Sequence, residues 1–253
     1  MKRLFWLLVL AIVVLAIVAA TFPAKLAVRL LPSSRLPVQL EEVAGTVWSG
    51  RAERVLRNGA DLGRLQWTVH PAGLLRGQID ADLALQGQAL DGTGRVVAAR
   101  DGSVRIAGAK VRFPAARMER LLDVPALTLV GNVDLVIEDL ELRGRVPVAL
   151  TGQATWRDAG VSGGEQATFG TLQARFGALD GGGFGGTLGD QGDGPLALDG
   201  SFRTTLMGFE ARATLRARDD NPQVQRALRH IGQMQPDGSV VYEVKGGLAG
   251  KGS

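Results

Sequence analysis

The sequence predicts a mainly β protein, in which an N-terminal transmembrane helix is followed by two duplicated, largely antiparallel β-sheet units, each with one short helix. Three observations lead to this prediction. An apolar run near the start is long enough to span a bilayer, short segments alternate between polar and apolar residues, and the second half of the chain repeats motifs of the first. The 35 glycines among 253 residues, about twice the usual share, suit short strands and tight turns.

The first element is a membrane anchor at residues 1–22. After Lys2 and Arg3 the chain carries no charge as far as Phe22, and about 20 apolar residues suffice to cross a bilayer as a helix. The apolar side chains that define this anchor are those of Leu4, Phe5, Trp6, Leu7, Leu8, Val9, Leu10, Ile12, Val13, Val14, Leu15, Ile17, Val18 and Phe22. Because Lys2 and Arg3 favour the cytoplasmic side, the rest of the chain is expected outside the cytoplasm.

A cleaved secretory signal is the alternative for this segment. Val18-Ala19-Ala20 offers the small residues that a signal peptidase accepts. The apolar run is longer than the core of a typical signal peptide, however, and it leads into Pro23–Leu31, where apolar residues fall at helical spacing. Both features favour an uncleaved anchor.

The region after the anchor contains a repeat with an offset of about 107 residues. The matching segments are Gly45–Trp48 with Gly152–Trp156, Leu62–Gln66 with Phe169–Gln173, and Gly131–Val133 with Gly238–Val240. Each match is short, and the first contains one inserted residue, but all of them share one order and an offset of 107 or 108 residues. We therefore predict a first β-rich unit at residues 23–145 and a second at residues 146–253.

Strands are predicted where polar and apolar residues alternate, which is typical of antiparallel sheets with one buried face. Residues 78–86, 132–138 and 239–245 show this alternation. Turns between strands are expected at the Asp-Gly pairs, because both residue types tolerate positive φ angles. These pairs are Asp91-Gly92, Asp101-Gly102, Asp180-Gly181, Asp199-Gly200 and Asp237-Gly238.

Two short helices are predicted within the β pattern. The first begins at Pro114 and carries an apolar stripe formed by Met118, Leu121 and Leu122. The second opens with Asn221-Pro222, a capping residue followed by a proline in the first turn, and its stripe consists of Val224, Ala227, Leu228 and Ile231. Each stripe is expected to cover a face of a sheet. The glycine-rich residues 180–195 are expected to form a mobile loop.

The sequence offers no recognisable catalytic, metal or cofactor site. There is no cysteine, and His70 and His230 lack a second ligand at metal-binding spacing. Asp190 and Asp193 lack the further oxygen ligands of a dedicated calcium loop. The net charge is +4, but the arginines are interleaved with acidic residues instead of forming the basic clusters that bind nucleic acid. We therefore predict no enzymatic activity, no cofactor and no nucleic-acid partner.

Three tryptophans of the soluble region, Trp48, Trp67 and Trp156, lie within or beside predicted strands. One interpretation is that they complete a core. The other is an exposed strand edge to which a partner chain adds a strand. The residues of this candidate partner-binding edge are Gly45, Thr46, Val47, Trp48 and Gly50.

Several segments together carry a family resemblance that covers essentially the whole chain. In the first half these are Val43–Ala52, Leu62-Gly63 with Trp67, and Gly131–Leu135; in the second half they are Thr155-Trp156, Ala159-Gly160, Ala227-Leu228 and Asp237-Gly238. In these residues the chain resembles the type II secretion system protein N family. The resemblance implies a non-enzymatic accessory component of that system, which contributes to protein secretion across the outer membrane through protein–protein interactions in the periplasm.

The resemblance also implies a location and partners. The location is the bacterial inner membrane, crossed once, with the C-terminal region in the periplasm. The partners are other type II secretion components, namely the inner-membrane platform proteins and the outer-membrane secretin. The resemblance brings no catalytic residue to any position of this chain.

Two other functions stay open. An anchored, repeated sheet can curl into a periplasmic groove that binds or transfers lipid, and the alternating strands permit such an apolar inner face. A hydrolase acting on glycans would require two carboxylates in a cleft, but the acidic residues mostly occupy turns or the wet side of strands. The lipid-binding groove is the stronger of these alternatives.

Overall fold

The computed structural model describes residues 21–30, 38–119, 127–144, 146–180, 182–205, 208–230 and 232–247. Two compact units are present, which divide between Asp101 and Gly102. The predicted boundary after residue 145 concerns the repeats and stays a prediction. The anchor residues from Leu4 to Val18 lie outside the described residues. In the described parts of the chain, no helix has the length and apolar content needed to cross a membrane.

The first unit is an antiparallel sheet in which each described strand pairs with the next one along the chain. Its elements are helix α1 (Ala24–Leu30), strands β1 (Gln39–Gly45), β2 (Ser49–Arg57) and β3 (Ala60–Val69), helix α2 (Ala72–Leu75), and strands β4 (Gln78–Gln86) and β5 (Asp91–Ala99). The buried apolar side chains of this unit are small: Ala24, Ala52, Val55 and Ala81.

The second unit is also antiparallel, with longer strands. Its elements are β6 (Ser103–Pro114), a 3₁₀ turn (Ala115–Met118), β7 (Leu127–Arg143), β8 (Val146–Gly163), β9 (Ala167–Ala178), β10 (Phe184–Asp190), β11 (Leu196–Thr205), β12 (Gly208–Ala217), a second 3₁₀ turn (Arg218–Asp220), helix α3 (Pro222–Leu228), β13 (Gln233–Met234) and β14 (Val240–Gly247). Strands β6 to β12 pair in chain order, and β14 then lies between β12 and β13.

The prediction of a mainly β, antiparallel fold is confirmed. The alternating segment 78–86 coincides with β4, residues 132–138 lie inside β7, and all but the first residue of segment 239–245 lie in β14. Helix α3 begins where the sequence predicts it, because the Oδ1 of Asn221 accepts hydrogen bonds from the N–H groups of Gln223 and Val224.

The structure corrects the start of the first predicted helix. Pro114 still pairs with Asn132 at the end of β6, residues Ala115–Met118 form a 3₁₀ turn, and Glu119 is helical at the edge of the described residues. Leu121 and Leu122 lie outside the described residues. Ala115 is nonetheless buried, and Met118 packs against the core, so this short turn does contribute an apolar cover.

The expectation of a mobile loop at residues 180–195 was wrong. Strand β10 lies within this segment and pairs on one side with β9 and on the other with β11. The glycines permit close backbone contact here: a Cβ atom added to Gly186 would lie 1.9 Å from the carbonyl oxygen of Arg175 on β9. The glycine content therefore reflects tight strand packing.

Two of the predicted Asp-Gly turns are strand residues instead. Asp91 begins β5, and Gly200 lies in the middle of β11 opposite Ala213. Asp101-Gly102 and Asp237-Gly238 do occupy turns. Adjacent strands on both sides supply hydrogen-bond partners for Gly200, and this pairing outweighs the local turn preference.

Candidate functional site

A cavity of about 300 Å³ lies against one face of the second unit. Its walls come from strands β7 to β12 and β14, together with Met118 of the 3₁₀ turn. Nearly all of the lining side chains are apolar, and the largest of them are Trp156, Phe169 and Tyr242. The cavity is of the size of a small-ligand pocket, and its lining favours an apolar occupant.

Strand alternation and small side chains together produce this cavity. Leu196 and Leu198 of β11 face it, as do Ala213 and Leu215 of β12, while the residues between them point away. Ala154 on β8 and Ala174 on β9, which are directly paired, also line it. Alanine at these inward positions leaves space that a leucine would fill.

The core beside the cavity is closed by α3. Val224, Ala227 and Leu228 of this helix are buried and pack against the core at β9 and β12. The fully buried Leu196 and Val240 belong to the same core. A well-packed region therefore lies next to the open space, so the cavity is a local feature of an ordinary core.

Trp156 anchors one wall of the cavity. Its indole Nε1 donates a hydrogen bond of 2.8 Å to the carbonyl oxygen of Val130 on β7. Its ring packs against the core, which agrees with the interpretation of strand tryptophans as core residues. Because the polar N–H has a partner in the backbone, the ring can present an apolar face to the cavity.

The candidate partner-binding edge at Gly45–Gly50 forms the turn between β1 and β2. Gly45 pairs with Gly50, and Gly50 pairs on its other side with Trp67. The N–H of Thr46 donates to the carbonyl of Ser49, and the N–H of Val47 donates to the carbonyl of Phe22. The carbonyl of Trp48 accepts from Val69 at 2.6 Å. These backbone groups are hydrogen-bonded within the chain, and partner binding at this segment stays a prediction.

An ion-pair cluster holds the β10–β11 turn outside the cavity. Arg218 donates to the Asp190 carboxylate and to the carbonyls of Gly194 and Leu196. Burial alone would raise the pKa of Asp190, but the Leu198 N–H and the Arg218 guanidinium hold that pKa below its usual range. Asp193 accepts hydrogen bonds from the backbone N–H and the hydroxyl of Thr171.

This cluster links the β10–β11 turn to Thr171 on β9 and to Arg218 after β12. Both of its carboxylates are occupied by donors from the protein itself. In the part of the chain that the structure describes, no three acidic, histidine or cysteine side chains come together as a metal site. His70 forms a hydrogen bond of 2.7 Å between its Nε2 and Asp82 and lies far along the chain from His230.

Comparison with known proteins decides the family. The family described as type II secretion system (T2SS), protein N, matches residues 37–244. The chain belongs to the type II secretion system protein N family. A family member from Vibrio cholerae serotype O1 (strain ATCC 39315 / El Tor Inaba N16961) is 37% identical over 78 residues, which cover 30% of each protein. One from Aeromonas hydrophila is 32% identical over 122 residues, covering 46% of this chain and 47% of the relative.

The alignments with these two protein N relatives are partial. The chain spans less than half the length of each of them. No solved structure matches the chain. Membership in the family therefore rests on the match over residues 37–244, which includes strands of both compact units.

The family-like segment Val43–Ala52 has a clear structural role in this protein N member. It forms the β1–β2 hairpin, in which Gly50 lies under the Trp67 ring: a Cβ atom at Gly50 would be 2.5 Å from that ring. In this chain, Gly50 therefore allows a tight contact with the Trp67 ring that a larger residue would block. The cavity in the second unit was not located from sequence, because it depends on which inward residues of separate strands lie on the same wall.

Proposed function

We propose that the protein is an accessory component of the type II secretion system, anchored in the inner membrane by residues 1–22, with its two β units in the periplasm. The family match over residues 37–244 carries this proposal. The apolar run from Leu4 to Phe22 and the preceding Lys2 and Arg3 support the anchor and its direction. Contacts with inner-membrane platform proteins and the outer-membrane secretin belong to the same proposal.

Topology can be tested directly because the chain has no cysteine. A single Gln88→Cys substitution in the exposed turn between β4 and β5 provides one labelling site. In spheroplasts, a membrane-impermeant maleimide should label this cysteine without detergent, whereas a cysteine placed before Lys2 should require detergent. Labelling of the N-terminal cysteine alone would contradict the proposed orientation.

The secretion role is tested by deleting the gene in a strain that has the rest of the machine. We expect a loss of secreted protein in the medium, or a fall in secretin abundance or platform assembly, that the full-length gene restores. If all three measurements are unchanged, the accessory role is wrong. A pull-down with the tagged chain, read by mass spectrometry, then identifies the partner.

We further propose that the two predicted repeats, residues 23–145 and 146–253, arose by duplication. Gly63 and Gly170, which lie 107 residues apart, both have positive φ angles, +109° and +91°. A Cβ atom added to Gly63 would contact Gly87, and one added to Gly170 would contact Gly194. These two partner glycines are again 107 residues apart. A repeated backbone contact of this kind supports the repeat that the sequence suggests.

A second candidate function, lipid binding, is favoured by the apolar cavity. A peptide segment in such a cavity would bury backbone N–H and C=O groups without partners, because the surrounding strands already pair with each other. An alkyl chain has no such groups. The cavity therefore supports the binding of one hydrocarbon chain of a lipid.

This candidate is tested by extracting the purified full-length protein and identifying bound lipid by mass spectrometry. Ala174→Phe fills the cavity from β9, whereas Ala178→Phe places the same ring at an exposed position of that strand. We expect Ala174→Phe to lower the bound lipid several-fold and Ala178→Phe to leave it unchanged. Equal lipid content in both variants would show that the lipid is held elsewhere.

A further inference from the structure

Two leucines project from one end of the first unit. Leu74 and Leu75 belong to helix α2, between β3 and β4, and have exposed fractions of 45% and 92%. Ile79, at the start of β4, is 56% exposed. Leucines this exposed add little to the stability of the fold, because their apolar surface stays in water. Exposed apolar side chains at one end of a unit are candidates for a contact with something outside it.

The turn that carries these leucines is firmly held. The N–H of His70 donates to the carbonyl of Asp80 at 2.7 Å, and the N–H groups of Gly73 and Leu74 donate to residues three positions earlier. Gly73 is buried against Asp80: a Cβ atom added there would lie 2.9 Å from the Asp80 Cβ. Arg95 donates two hydrogen bonds to the Asp80 carboxylate. The hydrogen-bonded backbone of this turn therefore holds the two leucines in their exposed positions.

The chain that follows the apolar N-terminal run joins the first unit at this same end of the sheet. Phe22 accepts a hydrogen bond from Val47, in the β1–β2 turn, and Pro23 forms a bridge with Thr46. In the antiparallel order β2–β3–β4, this turn and helix α2 lie at the same end, with Ser49 opposite Thr68 and Thr68 opposite Asp82. Two strand spacings, about 10 Å, separate them. A membrane span that ends at Phe22 thus brings the leucines close to the bilayer surface.

Basic side chains accompany the leucines. Arg76 directly follows Leu75 and is exposed, and the Arg100 side chain lies over Gly77, with its Nε 3.2 Å from the position of a Cβ atom there. Lys25, in the first turn of α1, is also exposed. Among the described residues, none of these three cations forms an ion pair. Apolar side chains flanked by cations match the bilayer interface, where acyl chains lie beside anionic phosphates.

We infer that this end of the first unit rests on the membrane, with Leu74 and Leu75 in the interfacial layer and Arg76, Arg100 and Lys25 beside lipid phosphates. This inference rests on the proposed anchor and adds to it a second contact with the same bilayer. The N-terminal run alone would attach the unit to the bilayer at one point. The leucine contact gives the unit a fixed orientation relative to the membrane.

The test uses the full-length chain in vesicles of phosphatidylethanolamine and phosphatidylglycerol. Leu75→Cys and, as a matched control, Gln88→Cys each carry one environment-sensitive fluorophore; both positions are exposed, Leu75 at the end of α2 and Gln88 in the turn between β4 and β5. They lie at opposite ends of β4, about 30 Å apart. We expect a lipid-borne quencher to reduce fluorescence at position 75 at least threefold more than at position 88. Aqueous iodide should show the reverse preference.

The outcomes separate this inference from the proposed anchor. If the protein floats with the vesicles but iodide reaches position 75 as readily as position 88, the membrane contact is wrong and the anchor stands. If position 75 is protected from both quenchers, a protein surface covers it and the inference is likewise overturned. If the protein does not float with the vesicles, both the anchor and the contact fail.

Discussion

At the residue scale, glycine positions show most clearly why this chain folds as it does. Gly63 sits on β3 with a φ of +109°, and a Cβ atom there would lie 2.1 Å from the carbonyl oxygen of Gln86. Gly59, in the β2–β3 turn, has a φ of +79° but nothing within 4 Å of a Cβ atom. The first glycine is therefore needed for both its conformation and its close contact, the second only for its conformation.

Gly63→Ala should consequently cost more stability than Gly59→Ala. A positive φ penalises alanine by about 1–2 kcal/mol at either site, and forcing a methyl group into a packed contact adds about 1–3 kcal/mol at position 63. Chemical denaturation of both variants measures the difference. Gly170→Ala should resemble Gly63→Ala, since its Cβ would lie 2.7 Å from the Gly194 Cα. Equal losses for Gly59→Ala and Gly63→Ala would refute the close-contact argument.

The ion pair between Asp80 and Arg95 should make the free energy of unfolding depend on pH. Its hydrogen bonds from Arg95 hold the pKa of this buried carboxyl below the ordinary value of 3.8. The charged form is thus favoured by folding, so its stabilising contribution is complete above the unfolded pKa and is lost as the pH falls through the lower folded pKa. Between pH 7 and pH 2.5, Asp80→Asn should therefore lose less unfolding free energy than the parent protein.

The control for this prediction is Asp180→Asn, at an exposed turn position. That variant should follow the parent curve across the whole pH range. At pH 7, Asp80→Asn should already be less stable than the parent, because Arg95 loses its charged partner. Parallel pH curves for the parent and Asp80→Asn would mean that the ion pair contributes nothing to the acid sensitivity.

At the element scale, capping of α3 is the feature that sequence alone predicted best. Asn221 accepts from two backbone N–H groups, at 3.1 and 3.2 Å, and Pro222 follows in the first turn. Asn221→Ala should destabilise the protein by about 1 kcal/mol, the usual cost of losing such a cap. Gln223→Ala is the control, because it keeps the backbone N–H that the cap binds. Thermal unfolding of the two variants gives the comparison, and equal midpoints would contradict the capping role.

Other elements could not be predicted because neighbours in space decide them. The composition of residues 180–195 suggests a mobile loop, yet Gly186 pairs with β9 so closely that a Cβ atom there would overlap the Arg175 carbonyl oxygen. Asp199-Gly200 has turn chemistry but pairs with β12 as a strand. Local patterns located β4 and α3, whose own residues define one face. They failed where the partner strand, distant in sequence, sets the conformation.

At the scale of the whole molecule, the family could be recognised from sequence, whereas the cavity could not. Family-like segments such as Leu62-Gly63 contain glycines that close backbone contacts require, so these segments are visible in the sequence. The cavity depends on how inward residues of several strands leave space together. Ala154 and Ala174 are ordinary strand residues until their pairing places them on the same wall.

The two candidate functions differ in one measurable consequence for secretion. If the protein acts only through protein contacts on its surface, filling the internal cavity should leave its activity intact. If a hydrocarbon chain in the cavity is required, Ala174→Phe should fail to restore secretion in the deletion strain although the variant is folded and membrane-bound.

We expect Ala174→Phe to restore secretion, since the family match supports an assembly role and such a role acts through the protein surface. The measurement is the amount of secreted protein in the medium, with Ala178→Phe as the control at an exposed position of the same strand. Abundance and circular dichroism of each variant establish that it is folded. If Ala178→Phe restores secretion and Ala174→Phe does not, the cavity and not the surface is required for function. The comparison is decisive because the two variants add the same ring to one strand and differ only in where that ring lies.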